Sequence, residues 1–366
     1  MYNEGNILIP DTELIGHFNE KLKFWYIKNH RKLLWRQTTD PYKIWLSEII
    51  LQQTRVAQGT PYYEKFLLNY PTVFDLAKAD ERDVLRLWQG LGYYSRARNM
   101  HYTARQVVNE YGGRFPETAA GLSKLKGLGN YTAAAIASFS FGEAVAAIDG
   151  NVYRVMSRIF GIQADMLSNQ GKKEFALMAA QLVPFDDPAT YNQAMIEFGA
   201  LQCVPVSPAC NICPFTDICF AFAHNMQNKL PVKVKKLKVK QRFFNYIVLE
   251  SSGQLAMKER PSKDIWQGLY DFYMIESTSP TDDPDELQSM DFPARLLQNG
   301  ILKITSRVYT HLLTHQRLHV KFWWLEISET NTIDLPAELT FYTKEEVESL
   351  PKPILIDTFL KEEKYL

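Results

Sequence analysis

All four cysteines of this 366-residue chain fall in one short stretch, LQCVPVSPACNICPFTDIC, as Cys203, Cys210, Cys213 and Cys219. Thiolates so close in sequence repel one another unless a cation or cluster neutralises them, and a C-x2-C pair closes readily on a metal. The C-x6-C-x2-C-x5-C spacing implies a metal centre and leaves two forms open, a tetrahedral structural zinc and an iron-sulfur cluster. Two carboxylates stand out elsewhere. In PYKIWLSEIILQQTRV, Glu48 follows Ile44 by four residues and Trp45 by three, so on a helix it projects among apolar neighbours, where a carboxyl keeps its proton more readily. In AVAAIDGNVYRV, Asp149 ends an apolar run and opens a helix, whose N–H groups and dipole are expected to hold it ionised. Each has a plainer reading, Glu48 as a stripe-edge residue reaching for water and Asp149 as an N-cap.

The stretch LSKLKGLGNYTAAAIASFSF reads as a helix ending at Leu125 and Lys126, a tight turn over Gly127 and Gly129, and a second helix starting near Tyr131. Glycines let a ligand approach the backbone, and the new helix offers unpaired N–H groups suited to a phosphate. From Thr12 to Phe222 apolar residues recur at three and four spacings, as in Leu14, Phe18, Leu22 and Trp25, which predicts an all-helical unit. Beyond a basic, proline-containing connector, RFFNYIVLE, YDFYMIES and LHVKFWWLEI are short, β-branched and aromatic, which predicts an α+β domain from Phe243. The expected division is therefore residues 1–225, a linker at 226–242 and a second domain at 243–366. STSPTDDPDELQSMDFPA is expected to be an exposed, acidic insertion.

The net charge of zero conceals an asymmetry. Residues 1–242 carry 29 Lys and Arg against 21 Asp and Glu, while 243–366 carry 12 against 20. The positive half is the one suited to a polyanion. No apolar run is long enough to span a bilayer, and MYNEGNILIPDTELIGHFNE has neither the basic start nor the apolar core of a secretory signal. The expectation is a cytoplasmic, nucleoid-associated monomer with thiols rather than disulfides.

The cysteine spacing with its following proline, the G-x-G hairpin, WLSEIILQQTRV and DGNV together resemble the MutY-type adenine DNA glycosylases of the helix-hairpin-helix, endonuclease III superfamily. The resemblance covers nearly the whole chain, most strongly from Arg31 to Cys219. It implies a helical glycosylase domain with an iron-sulfur loop, in which Cys203, Cys210, Cys213 and Cys219 hold a structural [4Fe-4S] cluster, followed by a Nudix-like lesion-recognition domain. It further implies double-stranded DNA containing A:8-oxoguanine or A:G mispairs as partner. Glu48 is then the acid that protonates adenine at N7, Asp149 with Asn151 the pair that stabilises the oxocarbenium-like sugar, and Tyr131 the residue that positions the aspartate. Tyr131 stands where endonuclease III relatives carry an attacking lysine, and a tyrosine cannot form a Schiff base, so the resemblance implies a monofunctional enzyme.

By the same resemblance Arg31, Gly127, Gly129, Gln53, Tyr93, Thr314 and His315 contact DNA, with Gln53 and Tyr93 filling the gap left by the flipped base. In YTHLLTHQRLHV, Leu313 and Thr314 replace the Phe and Ser of the loop that touches 8-oxoguanine in such enzymes. A Nudix hydrolase needs an R-E-x2-E-E metal-binding run, and the chain contains none. The rival readings are an endonuclease III-like glycosylase for oxidised pyrimidines, against which Tyr131 argues, and a non-catalytic iron-sulfur DNA-binding protein.

Overall fold

The computed structural model describes residues 10–234, 239–261, 264–287, 300–327 and 335–366. These form two compact units. One runs to Lys78 and resumes from Asn99 to the linker; the other joins Ala79–Arg98 to the residues beyond the linker. Residues 1–9, the linker residues 235–238 and the end of the acidic stretch at 288–299 lie outside the described residues.

Helices in chain order are α1 (Thr12–Asn29), α2 (Pro41–Leu51), α3 (Val56–Asn69), α4 (Val73–Lys78), α5 (Glu81–Trp88), α6 (Ser95–Tyr111), α7 (Ala119–Leu122), α8 (Asn130–Phe141), α9 (Gly150–Phe160), α10 (Asn169–Leu182), α11 (Pro188–Leu201) and α12 (Phe220–Ala223). Their starts follow local chemistry: Asp11, Asp40 and Asp187 accept backbone N–H groups as N-caps, and Pro41 and Pro188 follow two of them, where no N–H is missed. In α8, Thr132 to Ser138 are all buried. A helix enclosed on every side needs small side chains, and the alanines let α2, α7 and α11 approach it. A second core gathers Phe18 and Trp25 of α1, Phe198 of α11 and Phe215 of the cysteine loop. The ring of Phe215 lies 4.9 Å from Phe18 and 5.1 Å from Phe198, so the loop is anchored by aromatic packing.

The second unit is built on a parallel pair, β1 (Lys240–Ser251) with β7 (Gln316–Ile327), in register from Lys240 opposite Gln316 to Glu250 opposite Glu326. Antiparallel to β1 run β2 (Gln254–Glu259) and β4 (Tyr273–Ser277); antiparallel to β7 run β5 (Gly300–Thr305) and β6 (Tyr309–Leu312). The short β3 (Tyr270–Asp271) and β8 (Thr340–Tyr342) pair with β2. Helix α13 (Lys344–Ser349) starts at a capping box formed by Thr343 and Glu346, and α14 (Ile354–Glu362) follows. Side chains alternate across the two central strands. Phe322 stacks on Phe359 of α14 at 3.9 Å and on Tyr246 at 5.4 Å, while Ile247, Leu249, Trp323 and Leu325 face a second core that includes Leu287.

Two findings depart from the sequence reading. The acidic stretch is not wholly exposed: Leu287 is 1% exposed in that second core, because one apolar residue suffices to hold a polar segment against a sheet face. Ala79–Arg98, helical as expected, packs with the sheet-bearing unit. Arg82 donates to the Tyr270 hydroxyl at 2.7 Å, Arg98 to the Gln267 carbonyl at 2.6 Å, and the Lys352 backbone N–H to Gln89 Oε1 at 3.2 Å.

Candidate active site

A cavity of about 650 Å³ opens in the helical unit, with Glu48 of α2, Tyr131 of α8 and Asp149 at the start of α9 all on its wall. Trp35, Arg36, Gln53, Asn151 and Gln193 also line it. Burial pushes the Glu48 carboxyl up to about 7; the charge of Asp149 adds to the rise, while a hydrogen bond from Tyr131 and the charge of Arg36 restrain it. Burial also pushes the Tyr131 phenol well above its usual value, with the Glu48 and Asp149 charges acting the same way, so Tyr131 stays a hydrogen-bond donor.

Asp149 is both an N-cap and a cavity residue. Its Oδ1 accepts the backbone N–H groups of Asn151 and Val152, each at 2.8 Å, and its Oδ2 accepts Asn151 Nδ2 at 2.7 Å. The sequence leads one to expect these groups to hold the carboxyl low, yet its net shift is upward: burial outweighs the three hydrogen bonds and the Arg154 charge. The cap remains wholly acceptor, so the carboxylate geometry is retained.

Residues that sequence reasoning missed hold this wall in place. Asn192 is 1% exposed; its amide donates to Ser138 Oγ and the Val145 carbonyl and its Oδ1 accepts the Ala147 N–H, fixing the extended segment that delivers Asp149. Arg154 donates to Asn151 Oδ1 at 2.8 Å, to the Gly199 carbonyl at 2.7 Å and to the Cys203 carbonyl at 2.8 Å. Glu197 is fully buried and takes up Arg36 at 2.8 Å together with Arg31 Nε at 2.9 Å and NH2 at 2.6 Å. Arg31, expected to contact DNA, thus commits its fork and its backbone N–H to a protein carboxylate. Apart from Arg154 to Asn151, three positions away, these partnerships span 45 to 166 residues and leave no local motif.

The four cysteines are free and half-buried. Arg158, 2% exposed, donates to the carbonyls of Val204 and Pro205 and reaches Cys203 Sγ at 3.5 Å. Burial pushes the Cys210 and Cys219 thiols up and the Cys213 thiol up to about 12. Among the described residues no group of three or more His, Cys, Asp or Glu is drawn close enough to hold a single metal ion.

In the hairpin between α7 and α8, Gly127 has φ +82° and lies so near Asn99 that an added Cβ would come within 2.8 Å of the Asn99 Cβ. Gly129, the N-cap of α8, has open space where a side chain would stand, which leaves the α8 N–H groups approachable. Gln53 and Tyr93, at φ +54° and +49°, occupy the left-handed region that favours glycine. Within the second unit, the Tyr93 hydroxyl contacts the Thr314 hydroxyl. His315 beside it is exposed, whereas His311 is half-buried.

Residues 46–182 match the family model described as HhH-GPD superfamily base excision DNA repair protein, and residues 245–362 match that described as NUDIX domain. Adenine DNA glycosylase from Buchnera aphidicola subsp. Acyrthosiphon pisum is 34% identical over 70% of this chain and 73% of its own length. That of Buchnera aphidicola subsp. Baizongia pistaciae is 30% identical over 92% and 94%, and that of Homo sapiens 41% identical over 61% and 42%. The chain belongs to the adenine DNA glycosylase family. Among solved structures, a thermostable thymine-DNA glycosylase is similar with TM-score 0.54 and 30% identity, covering 58% of this chain and 98% of its own. An endonuclease III–DNA covalent intermediate, at 22% identity and TM-score 0.52, shares the fold over 59% of this chain and 99% of its own. No helix among the described residues is long and apolar enough to cross a membrane.

Proposed function

We propose that this enzyme, acting as a monomer at the nucleoid, removes adenine mispaired with 8-oxoguanine or guanine by hydrolysing the N-glycosidic bond of a base flipped out of duplex DNA. One observation carries the reading: Glu48, Tyr131 and Asp149 share one cavity, in which burial lifts the Glu48 carboxyl to about 7. An acid with that affinity holds a proton near neutrality and can deliver it to N7 of adenine, making the base a better leaving group. As the bond breaks, positive charge develops on the sugar, and the Asp149 carboxylate, oriented by Asn151, stabilises it. Glu48, now deprotonated, activates the water that completes hydrolysis. Tyr131 supplies no amine, so no Schiff base forms and the strand stays uncut.

Support for DNA engagement comes from the open approach to α8 at Gly129; on this reading Gln53 and Tyr93, each in a left-handed turn of its own unit, fill the gap left by flipping. Thr314 and His315 read the base opposite adenine on this reading. Cys203, Cys210, Cys213 and Cys219 would hold a [4Fe-4S] cluster, as the family resemblance implies: the donor set is four free thiols on one anchored loop. When bound, the cluster supplies a cross-link that staples the loop.

The test is single-turnover release of adenine from an A:8-oxoguanine duplex by wild type, Glu48→Gln and Asp149→Asn. Each substitution is expected to slow release by roughly 10²- to 10⁴-fold. Full activity in both variants would remove the enzymatic reading.

A further inference from the structure

Trp266 is a buried, bulky residue at φ +63°, a conformation that large side chains rarely adopt and that costs free energy unless its surroundings impose it. The surroundings do impose it. On one side the Ile265 carbonyl accepts Arg260 Nε at 3.0 Å; on the other the Gln267 carbonyl accepts Arg98 at 2.6 Å. The Leu269 N–H closes on the Trp266 carbonyl at 3.0 Å, and the Arg260 backbone joins Leu269 and Gly268. A loop tied at so many points could seat a glycine at this φ, yet it seats an indole. The ring is turned edge-on to His311, centroids 5.7 Å apart at 62°.

His311 belongs to β6, and three residues later the turn into β7 presents Thr314. That turn is closed by the Leu313 N–H on the Gln316 carbonyl at 2.8 Å and by the Lys240 N–H on the His315 carbonyl at 2.9 Å, and its tip touches Tyr93 through Thr314. The hairpin is thus held along its length by ladder hydrogen bonds, and at the turn by these two backbone bonds and the Thr314 hydroxyl contact. Among the described contacts, packing of Trp266 against His311 braces its flank.

We propose that Trp266 is a positioning residue for discrimination between 8-oxoguanine and guanine opposite the target adenine, acting through His311 on the hairpin that presents Thr314. The inference rests on the lesion-reading role given above to Thr314 and His315. A displaced hairpin loses contacts to the opposite base while the adenine cavity of the other unit keeps its residues, so the effect falls on choice of partner base and spares the basal reaction.

The experiment measures single-turnover adenine release from A:8-oxoguanine and A:G duplexes by wild type, Trp266→Ala, Trp266→Phe, His311→Ala and the Trp266→Ala/His311→Ala double variant, with melting curves for each. Trp266→Ala is expected to cut the 8-oxoguanine-to-guanine rate ratio about 10-fold while the A:G rate stays within about 3-fold of wild type. Trp266→Phe, which keeps an aromatic edge, is expected to restore most of the ratio. His311→Ala lowers the ratio likewise, and the double variant is no worse than the more affected single one. An unchanged ratio in Trp266→Ala overturns the proposal, as does an equal fall on both duplexes or full additivity in the double variant. If Trp266→Ala does not fold, His311→Ala decides: a wild-type ratio there overturns the proposal. A wild type without preference between the duplexes sinks the lesion-reading role itself and this inference with it, whereas a preference that survives the substitutions sinks only this inference.

Discussion

Tyr131 of α8 and Glu48 of α2 line the same cavity wall, and the phenol restrains the rise in the Glu48 proton affinity. Tyr131→Phe keeps the ring and removes the hydroxyl that does so. Its expected outcome is a slower reaction, by roughly 10-fold for a loosened catalytic group, with the alkaline limb of the pH–rate profile moved to higher pH. A single-turnover pH profile with the limb unmoved would show that Tyr131 does not tune Glu48.

Burial of Glu48 leaves a mark on stability as well as on rate. Its folded-state value of about 7 exceeds the ordinary 4.5, so the folded protein holds this proton more tightly than the unfolded chain does. The contribution is fully present below about pH 4.5 and is lost as pH rises through about 7. Glu48→Gln removes that loss. Urea unfolding at about pH 5 and about pH 8 is expected to show wild type weakening relative to the variant at the higher pH, by on the order of 2 kcal/mol.

Glu197 works in the opposite direction. Burial alone would raise its carboxyl, but hydrogen bonds from Arg31 and Arg36 outweigh burial and hold it at about 2. The stability this supplies is present above about pH 4.5 and is lost as pH falls toward about 2. Glu197→Gln leaves two guanidinium groups without their shared anion and is expected to destabilise the protein by roughly 3–5 kcal/mol. Because the Arg36 charge lowers the Glu48 carboxyl, removing the anion that neutralises Arg36 should also move the alkaline limb of the rate profile to lower pH. Thermal melts and the same pH profile check both outcomes.

The sequence and the structure meet where a residue's role is local. The Asp149 cap, the positive φ of Gly127 and the grouping of four cysteines follow from neighbours within a few positions. Glu48 was legible because helical periodicity places it on an apolar stripe; that the stripe borders a cavity was not. Arg154, Asn192 and Glu197 escape a sequence reading because the partners that fix them across the fold lie 45 to 166 residues away and their types alone suggest solvent. Nothing near Arg31 in sequence announces the buried Glu197 that it bonds, 166 residues away. Leu287 looked like part of an exposed acidic stretch because one apolar residue makes no periodicity.

Arg154 joins three elements through a single guanidinium: Asn151 beside the Asp149 cap, Gly199 of α11 and Cys203 at the head of the cysteine loop. Lysine keeps the charge but cannot make this fork. Arg154→Lys is therefore expected to slow adenine release by at least about 10-fold through a loosened Asn151 and Asp149, since small displacements of a catalytic group have effects of this size. The cysteine loop keeps Phe215 in the core and its Arg158 contacts, so the iron content expected of the proposed cluster should match wild type. Loss of iron in proportion to activity would place the Arg154 effect in the loop and not at the cap.

Gly199 offers the most direct test of how closely Asp149 is placed. Its φ is unremarkable for a helix; what excludes a side chain is space, since an added Cβ would stand 2.6 Å from the Asn151 Cβ and 3.0 Å from the Asn151 carbonyl oxygen. Both belong to the first turn of α9, so relief requires α9 and α11 to separate, carrying the Asp149 cap away from Glu48. Alanine has a higher helix propensity than glycine, which favours the variant by up to about 1 kcal/mol before the clash is counted. Gly199→Ala is thus expected to lose stability modestly and activity disproportionately, by on the order of 100-fold for a displacement near 1 Å. Comparing melting temperature with single-turnover rate separates the two. A variant as active as wild type would mean that the two helices part without moving the aspartate.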